Sequence, residues 1–228
     1  VLHETQEKMR IKRQLTNNIN HELKTPVASI SGYIETILSN GKMDEATRTA
    51  FLQRCLSQCE RLGKLLSDVA TITRMDDGRE QMNRERVVLN DIVDEIAEEV
   101  ALQPAERRLR VNCDFPDDLA VVGNREMLTS IFRNLASNAV AYSSGRDIFI
   151  RLVAEDDEKY TISFADNGIG VEEEHLPRLF ERFYRVDKGR SRKMGGTGLG
   201  LSIVKNAVAM HGGTIEAHNR LSGGLEFI

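Results

Sequence analysis

Long apolar runs are missing from this 228-residue sequence. Nowhere do about 18 apolar residues follow one another, so the sequence holds no candidate membrane-spanning helix and predicts no membrane contact. Nothing at its start has the charged, apolar and small-residue succession of a secretory leader. Cysteine is scarce. Cys55, Cys59 and Cys113 are odd in number and show no CxxC spacing. They argue against a disulfide framework or a thiolate metal site, and a reducing, cytoplasmic setting suits them. Cys55 and Cys59, four apart in a helix-like stretch, are expected as small apolar core residues. A cationic surplus is also lacking: 31 Lys and Arg stand against 35 Asp and Glu, a net charge of -4. That balance speaks against nucleic-acid binding as the main role. The absence of GxxxxGK[ST] excludes a P-loop ATPase, and the absence of an HRD and DFG set excludes the usual serine, threonine or tyrosine kinase. Gly196-Thr197-Gly198-Leu199-Gly200 is not GxGxxG and follows no clear strand, which disfavours a dinucleotide fold.

Hydrophobic residues at 40% and charged residues at 29% describe an ordinary globular chain. Its length suits one large domain or two small ones. The chain opens inside a charged helical stretch, Glu7 to Arg13, as a fragment of a longer protein would. Leu15, Ile19, Leu23, Val27, Ile30, Ile34 and Ile37 step by threes and fours and predict one long amphipathic helix. Asn40-Gly41 ends it, and Asp44 caps a second helix whose stripe is Phe51, Cys55, Cys59, Leu62, Leu66 and Val69. Two helices cover each other poorly, whereas two such hairpins about a two-fold axis share a core. Residues 1–75 are therefore expected to form a homodimer with a four-helix bundle.

Residues 76–86 read as a linker around Gly78. Residues 87–228 alternate helical and strand-like pieces. Helices are predicted near 90–103, 124–141 and 199–211, and strands near 108–113, 119–122, 147–154, 159–165, 213–218 and 224–228. The fold class is α+β: the helical hairpin, then an α/β sandwich with its sheet covered on one face.

Four strings carry chemistry. In Asn20-His21-Glu22-Leu23-Lys24-Thr25-Pro26, His21 lies beside the apolar stripe among polar residues and should look outward. A neutral imidazole nitrogen is a good nucleophile near neutral pH, and Glu22 can take the other ring proton. Thr25 shares the helical face of His21, and Pro26 should kink the helix by removing the bond to the Glu22 carbonyl. A surface histidine beside a kink is the plainer alternative. Asn134 and Asn138 share one face of a helix, and amide oxygens suit Mg²⁺; two solvated polar residues would look the same. Asp166-Asn167-Gly168-Ile169-Gly170 is a turn signal. A buried carboxylate only accepts hydrogen bonds, so Asp166 would also take the adenine amino group, with Gly168 and Gly170 letting the backbone approach the base. Finally Arg178, Arg182, Arg185, Lys188, Arg190, Arg192 and Lys193 crowd before Gly195-Gly196-Thr197-Gly198-Leu199-Gly200, at a helix start suited to phosphate. A basic loop without ligand is the alternative there.

These strings, in this order, resemble those of sensor histidine kinases of two-component systems over about residues 10–228. Asn20 to Pro26 resembles the phosphoacceptor box, Asn134 to Ala139 the asparagine box, Asp166 to Gly170 and Gly196 to Gly200 the two glycine boxes, and Leu179 to Arg185 the phenylalanine box. The resemblance implies an ATP-dependent autokinase in which His21 receives the γ-phosphoryl group, with Glu22 as general base. It implies that Thr25 helps position water when a partner response regulator is dephosphorylated. Asn138 would ligate Mg²⁺ and Tyr142 would border the nucleotide. Arg185, and less closely Arg190 and Arg192, match the family arginine near the γ-phosphate. Ala141 departs from the pattern, standing where many members place a Lys or His that touches the phosphates. Two other functions fit parts of the sequence: a nucleotide-gated interaction module, and an ATPase of the gyrase or chaperone type. The resemblance also suggests that the fragment is the cytoplasmic part of a membrane-bound sensor.

Overall fold

The structure, a computed structural model, describes residues 2–76, 83–156, 159–187, 189 and 196–228. The chain divides into two compact units, Val1–Thr71 with Asp187–Leu199, and Ile72–Val186 with Gly200–Ile228.

The first unit is built on helices α1 (Leu2–Ser39) and α2 (Glu45–Asp76). As expected, the α1 ladder closes at Asn40, whose amide donates to the Thr36 carbonyl at 3.2 Å. Asp44 caps α2, accepting from the Thr47 amide at 2.8 Å and from its hydroxyl at 2.7 Å. These bonds hold the Asp44 carboxyl below the usual carboxylate range. The helices meet through Tyr33 and Phe51, with ring centroids 5.4 Å apart, and through the Cys55 thiol, 3.9 Å from the Ile30 carbonyl. An ion pair joins Glu22 to Arg61.

The second-helix stripe is only partly the inward face. Cys55 and Leu65 are buried, but Cys59 and Leu66 are exposed. Within a single chain only Cys55 of the two cysteines is therefore buried. A four-residue step overshoots the 3.6-residue turn, so Cys59 and Leu66 rotate together with Leu52 and Leu56 onto a second apolar face. On α1, Val27, Ile34 and Leu38 are likewise exposed. Pro26 is buried inside α1, which runs through it uninterrupted.

Among the described residues, the second unit holds a two-stranded ribbon, a five-stranded sheet and three α-helices that start within it. Strand β1 (Glu85–Val88) leads into α3 (Leu89–Ala101). Then come β2 (Arg110–Asp114), β3 (Ala120–Gly123) and α4 (Arg125–Asn138), which continues as a π-turn over Ala139–Ser143. Strands β4 (Asp147–Glu155) and β5 (Tyr160–Asp166) precede a 3-10 helix, Glu173–Arg178. Helix α5 (Gly200–Met210), β6 (Ala217–Asn219) and β7 (Leu225–Phe227) complete the described elements. β1 pairs antiparallel with β3, and the larger sheet runs β2-β4-β5-β7-β6, parallel only between β2 and β4.

Alternation along β4 sorts the two faces of that sheet. Ile148 and Ile150 are fully buried, as are Ile92, Ile96 and Ile203 on the helices. Phe149, between them, turns the other way and lies under the guanidinium groups of Arg151 and Arg220, 5.4 and 5.2 Å from its ring. The sheet is thus covered by helices on one face, as the mixed pattern predicted. Strand β1 and the 3-10 helix are additions to the sequence reading. A four-residue strand within a charged stretch carries too little periodicity to be seen.

Candidate nucleotide and phosphoacceptor sites

On the hairpin, His21 is exposed and lines an open groove of about 490 Å³ with Lys24, Thr25, Ala28 and Ser29. The shared face of His21 and Thr25 follows from their four-residue spacing. The Thr25 hydroxyl leans back to donate to the His21 carbonyl at 3.4 Å, and Ser29 does the same to Thr25 at 3.1 Å. Such back-bonding adds a second donor to carbonyls on either side of Pro26, while the carbonyl left without an N–H by the proline is that of Glu22. Glu22, one residue on, is tied to the second helix. It is half-buried and its Oε2 accepts from Arg61 Nη2 of α2 at 2.8 Å.

In the second unit, α4 carries the two asparagines on one face. Asn134 donates through Nδ2 to the Ser130 carbonyl at 2.8 Å and to its hydroxyl at 3.2 Å. Its Oδ1 is directed at the start of α5, where a Cβ on Gly200 would come within 2.7 Å of it. Asn138 is half-buried at the end of α4, and Tyr142 is half-buried in the π-turn. Amide oxygen is a donor of the class Mg²⁺ prefers, so Asn138 fits the chemistry of a metal-bound phosphate.

The end of β5 is stitched to that π-turn. Ile169 donates its amide to the Ser143 carbonyl at 2.8 Å. A Cβ on Gly168 would lie 1.9 Å from the same oxygen. Gly168 is thus required by the approach of two backbones, a reason additional to ligand access. Gly170 has φ +67° and sits against Asn219, which brackets Val171 by accepting from its N–H and donating to its C=O. Asn167 is a lock: its Oδ1 accepts from the amides of Arg146 and Asp147, both at 2.9 Å, and its Nδ2 donates to the Asp147 carboxylate.

Asp166 is buried, 5% exposed, and its Oδ1 accepts from the Gly168 amide at 2.8 Å. Burial pushes its carboxyl above the usual carboxylate range, opposed by backbone hydrogen bonds and by Arg220. Arg220 also donates to the Asp166 carbonyl at 2.9 Å. The π-turn after the asparagines and the Asp166 loop therefore form one continuous substructure, with Gly200 at its border. Arg185 is half-buried beyond the 3-10 helix. Arg190 and Arg192 lie outside the described residues.

Residues Gly196 to Leu199 belong to the first unit. Gly198 has φ +77° and Leu199 is fully buried. The Thr197 hydroxyl accepts from the Leu199 amide at 3.2 Å and donates to Asp68 of α2 at 2.7 Å. Burial raises the Asp68 carboxyl, while Thr197 and Lys64 oppose the shift. Sequence reasoning passed over Asp68, Arg61, Asn167 and Arg220. Asn167 had a signal in its string, Asp-Asn-Gly. The others are single charges whose partners lie far away in the chain.

Comparison with known proteins agrees with this geometry. Residues 11–78 match the family described as His Kinase A (phospho-acceptor) domain. Residues 123–228 match the histidine kinase-, DNA gyrase B-, and HSP90-like ATPase family. The chain is similar to the sensor protein kinase WalK of Staphylococcus aureus, 33% identical over 226 residues, covering 96% of this chain and 54% of that protein. It thus spans about half the length of the curated relatives it matches. Among solved structures, ShkA in complex with AMPPNP has a TM-score of 0.65 at 25% identity, covering 94% of this chain and 44% of that one. The Acinetobacter baumannii histidine kinase AdeS shares the fold, with a TM-score of 0.72 at 23% identity over 91% of this chain and 95% of that one. With a phospho-acceptor hairpin followed by an ATPase domain, the chain belongs to the sensor histidine kinases of two-component systems.

Proposed function

We propose that this chain is an ATP-dependent autokinase that phosphorylates His21 and passes the phosphoryl group to an aspartate of a response regulator. The observation that carries the reading is the exposed imidazole of His21 on the open hairpin groove. One ring nitrogen attacks the γ-phosphorus, the bond to the bridging oxygen breaks, and ADP leaves. The proton on the other ring nitrogen passes to the Glu22 carboxylate. Phosphoryl transfer depends mainly on position and charge. Asp166, a buried acceptor, selects adenine over guanine, which carries a carbonyl at the corresponding position. Asn134, Tyr142, Gly168, Gly170 and the turn Gly196 to Gly200 frame the nucleotide. Mg²⁺, held with the help of Asn138, supplies positive charge at the phosphates. Arg185, Arg190 and Arg192 supply more, which offsets the missing cation at Ala141. The solved complex of ShkA with AMPPNP, an ATP analogue, supports this nucleotide assignment.

The working form is a homodimer. The exposed Val27, Ile34, Leu38, Leu52, Leu56 and Leu66 make an apolar face that a second hairpin would cover. Residues 1–75 serve as the dimerisation and phosphoacceptor domain, 76–86 as the linker and 87–228 as the ATP-binding domain. The same groove, with Thr25 beside His21, suits the reverse duty of assisting hydrolysis of the phosphorylated regulator. No described helix is long and apolar enough to cross a membrane; the piece acts in the cytoplasm as part of a longer sensor.

Incubation with γ-labelled ATP tests the reading. Acid-labile, alkali-stable label that disappears in His21→Ala supports it. Nucleotide binding without label points to a nucleotide-gated module, and rapid phosphate release that survives the substitution points to a gyrase-like ATPase.

A further inference from the structure

Among the described residues, Arg61 is the one buried basic side chain, and it is paired with Glu22 at 2.8 Å across 39 residues of sequence. The two side chains are 7% and 17% exposed. A buried ion pair is weak evidence for stability, because well-packed apolar residues of similar size serve a helix interface as well or better. Stability therefore does not explain why this hairpin sets a guanidinium against α1. What distinguishes the place is its neighbour. Arg61 grips the carboxylate of the residue next to His21.

We propose that Arg61 is a positioning residue for the chemistry at His21, acting through Glu22. This rests on the autokinase reading. A Glu side chain has three rotatable bonds, and on the surface of a single helix its carboxylate would wander. A guanidinium in a fixed fork geometry, itself held within the hairpin, confines it. The carboxylate offers about four lone-pair directions, so a contact on Oε2 leaves the group able to take the imidazole proton. Arg61 keeps its own protons throughout. In the transfer, the N–P bond forms, the bond from γ-phosphorus to the bridging oxygen breaks with ADP leaving, and the ring proton goes to Glu22.

The test is a double-mutant cycle in single-turnover autophosphorylation at saturating ATP, using Arg61→Met, Arg61→Lys, Glu22→Gln and the Glu22→Gln/Arg61→Met pair. ATP dissociation constants and thermal melts are measured alongside. Arg61→Met should slow transfer at least about tenfold, part of the roughly 10²–10⁴-fold that a well-placed proton acceptor contributes, with ATP affinity unchanged. Arg61→Lys should recover part of that loss. The double variant should be no slower than Glu22→Gln alone, since a residue that acts through Glu22 has nothing left to position. Should Arg61→Met melt because it strands Glu22, the double variant, which carries no stranded charge, still reads the cycle.

A rate for Arg61→Met within about twofold of the parent overturns the proposal, as do losses that multiply in the double variant, the mark of independent effects. Absence of label on His21 in the parent protein overturns the autokinase reading, and this inference with it. Normal labelling of the parent with an indifferent Arg61 overturns this inference alone.

Discussion

Replacing Gly168 with alanine should break the nucleotide domain at the point where its two candidate loops meet. The φ of Gly168 is not in the left-handed region, so the obstacle is space and not backbone angle. A Cβ there would sit 1.9 Å from the Ser143 oxygen and 2.4 Å from its carbon. An ordinary carbon–oxygen contact is about 3.3 Å, so the two segments must part by roughly 1.4 Å. That displacement breaks the bond from Ile169 to Ser143 at 2.8 Å and weakens the one from the Gly168 amide to Asp166, also 2.8 Å. A neutral bond contributes about 1 kcal/mol and one to a charged group about 1.5–3 kcal/mol, so the combined loss is at most about 2.5–4 kcal/mol. For a chain of this size about 1 kcal/mol shifts Tm by roughly 2–4 °C, so Gly168→Ala should melt roughly 5–16 °C below the parent. ATP binding should fall with it, because Asp166 loses the amide that orients its carboxylate. Calorimetry and nucleotide titration, run on the same preparation, check both effects. A variant that melts within about 2 °C of the parent and binds ATP normally would refute the steric reasoning.

Asp166→Asn should separate stability from function. Burial raises the Asp166 carboxyl, so the folded state holds this proton more tightly than the unfolded one. The stabilisation from that proton is complete below the unfolded pKa and is lost as pH rises through the folded value. At neutral pH the variant should therefore melt above the parent, with the gain vanishing in acid, while ATP binding is lost. His211→Ala removes two bonds. The Asn124 amide donates to Nε2 at 3.0 Å, which leaves Nδ1 to donate to the Ala207 carbonyl at 2.7 Å. About 2 kcal/mol should go, seen as a Tm drop of roughly 4–8 °C. Leu38→Glu with Leu56→Glu should turn the dimer into a monomer in analytical ultracentrifugation. These leucines are 78% and 60% exposed in a single chain, and burying both would contribute about 3–6 kcal/mol, over a hundredfold in affinity.

Much of the fold was legible because periodicity is local. The α1 stripe, the Asp44 cap and the alternation of β4 around Ile148 and Ile150 each follow from a short window of sequence. The second-helix stripe was legible only in part. Spacing by threes and fours fits two faces of a helix, and which of Cys55 and Cys59 turns inward depends on the partner helix. β1 escaped notice because four residues among charges give no pattern; it is defined by pairing with β3, more than thirty residues away. At the candidate site, residue types singled out His21, Asn138 and Asp166 as candidates, but not the contacts that surround them. Nothing near Arg61 says that it meets Glu22. Nothing near Gly168 says that the Ser143 carbonyl occupies the space of its missing side chain. Those facts belong to contacts between distant segments, which appear only once the chain is folded.

The most direct measurement is tandem mass spectrometry of the intact chain after brief incubation with ATP and Mg²⁺, kept at alkaline pH to preserve a phosphorus–nitrogen bond. The account predicts a single phosphoryl group on the peptide containing His21, attached to the imidazole. Nucleotide bound by the protein with that imidazole unmodified, or phosphate found on another residue, would contradict it.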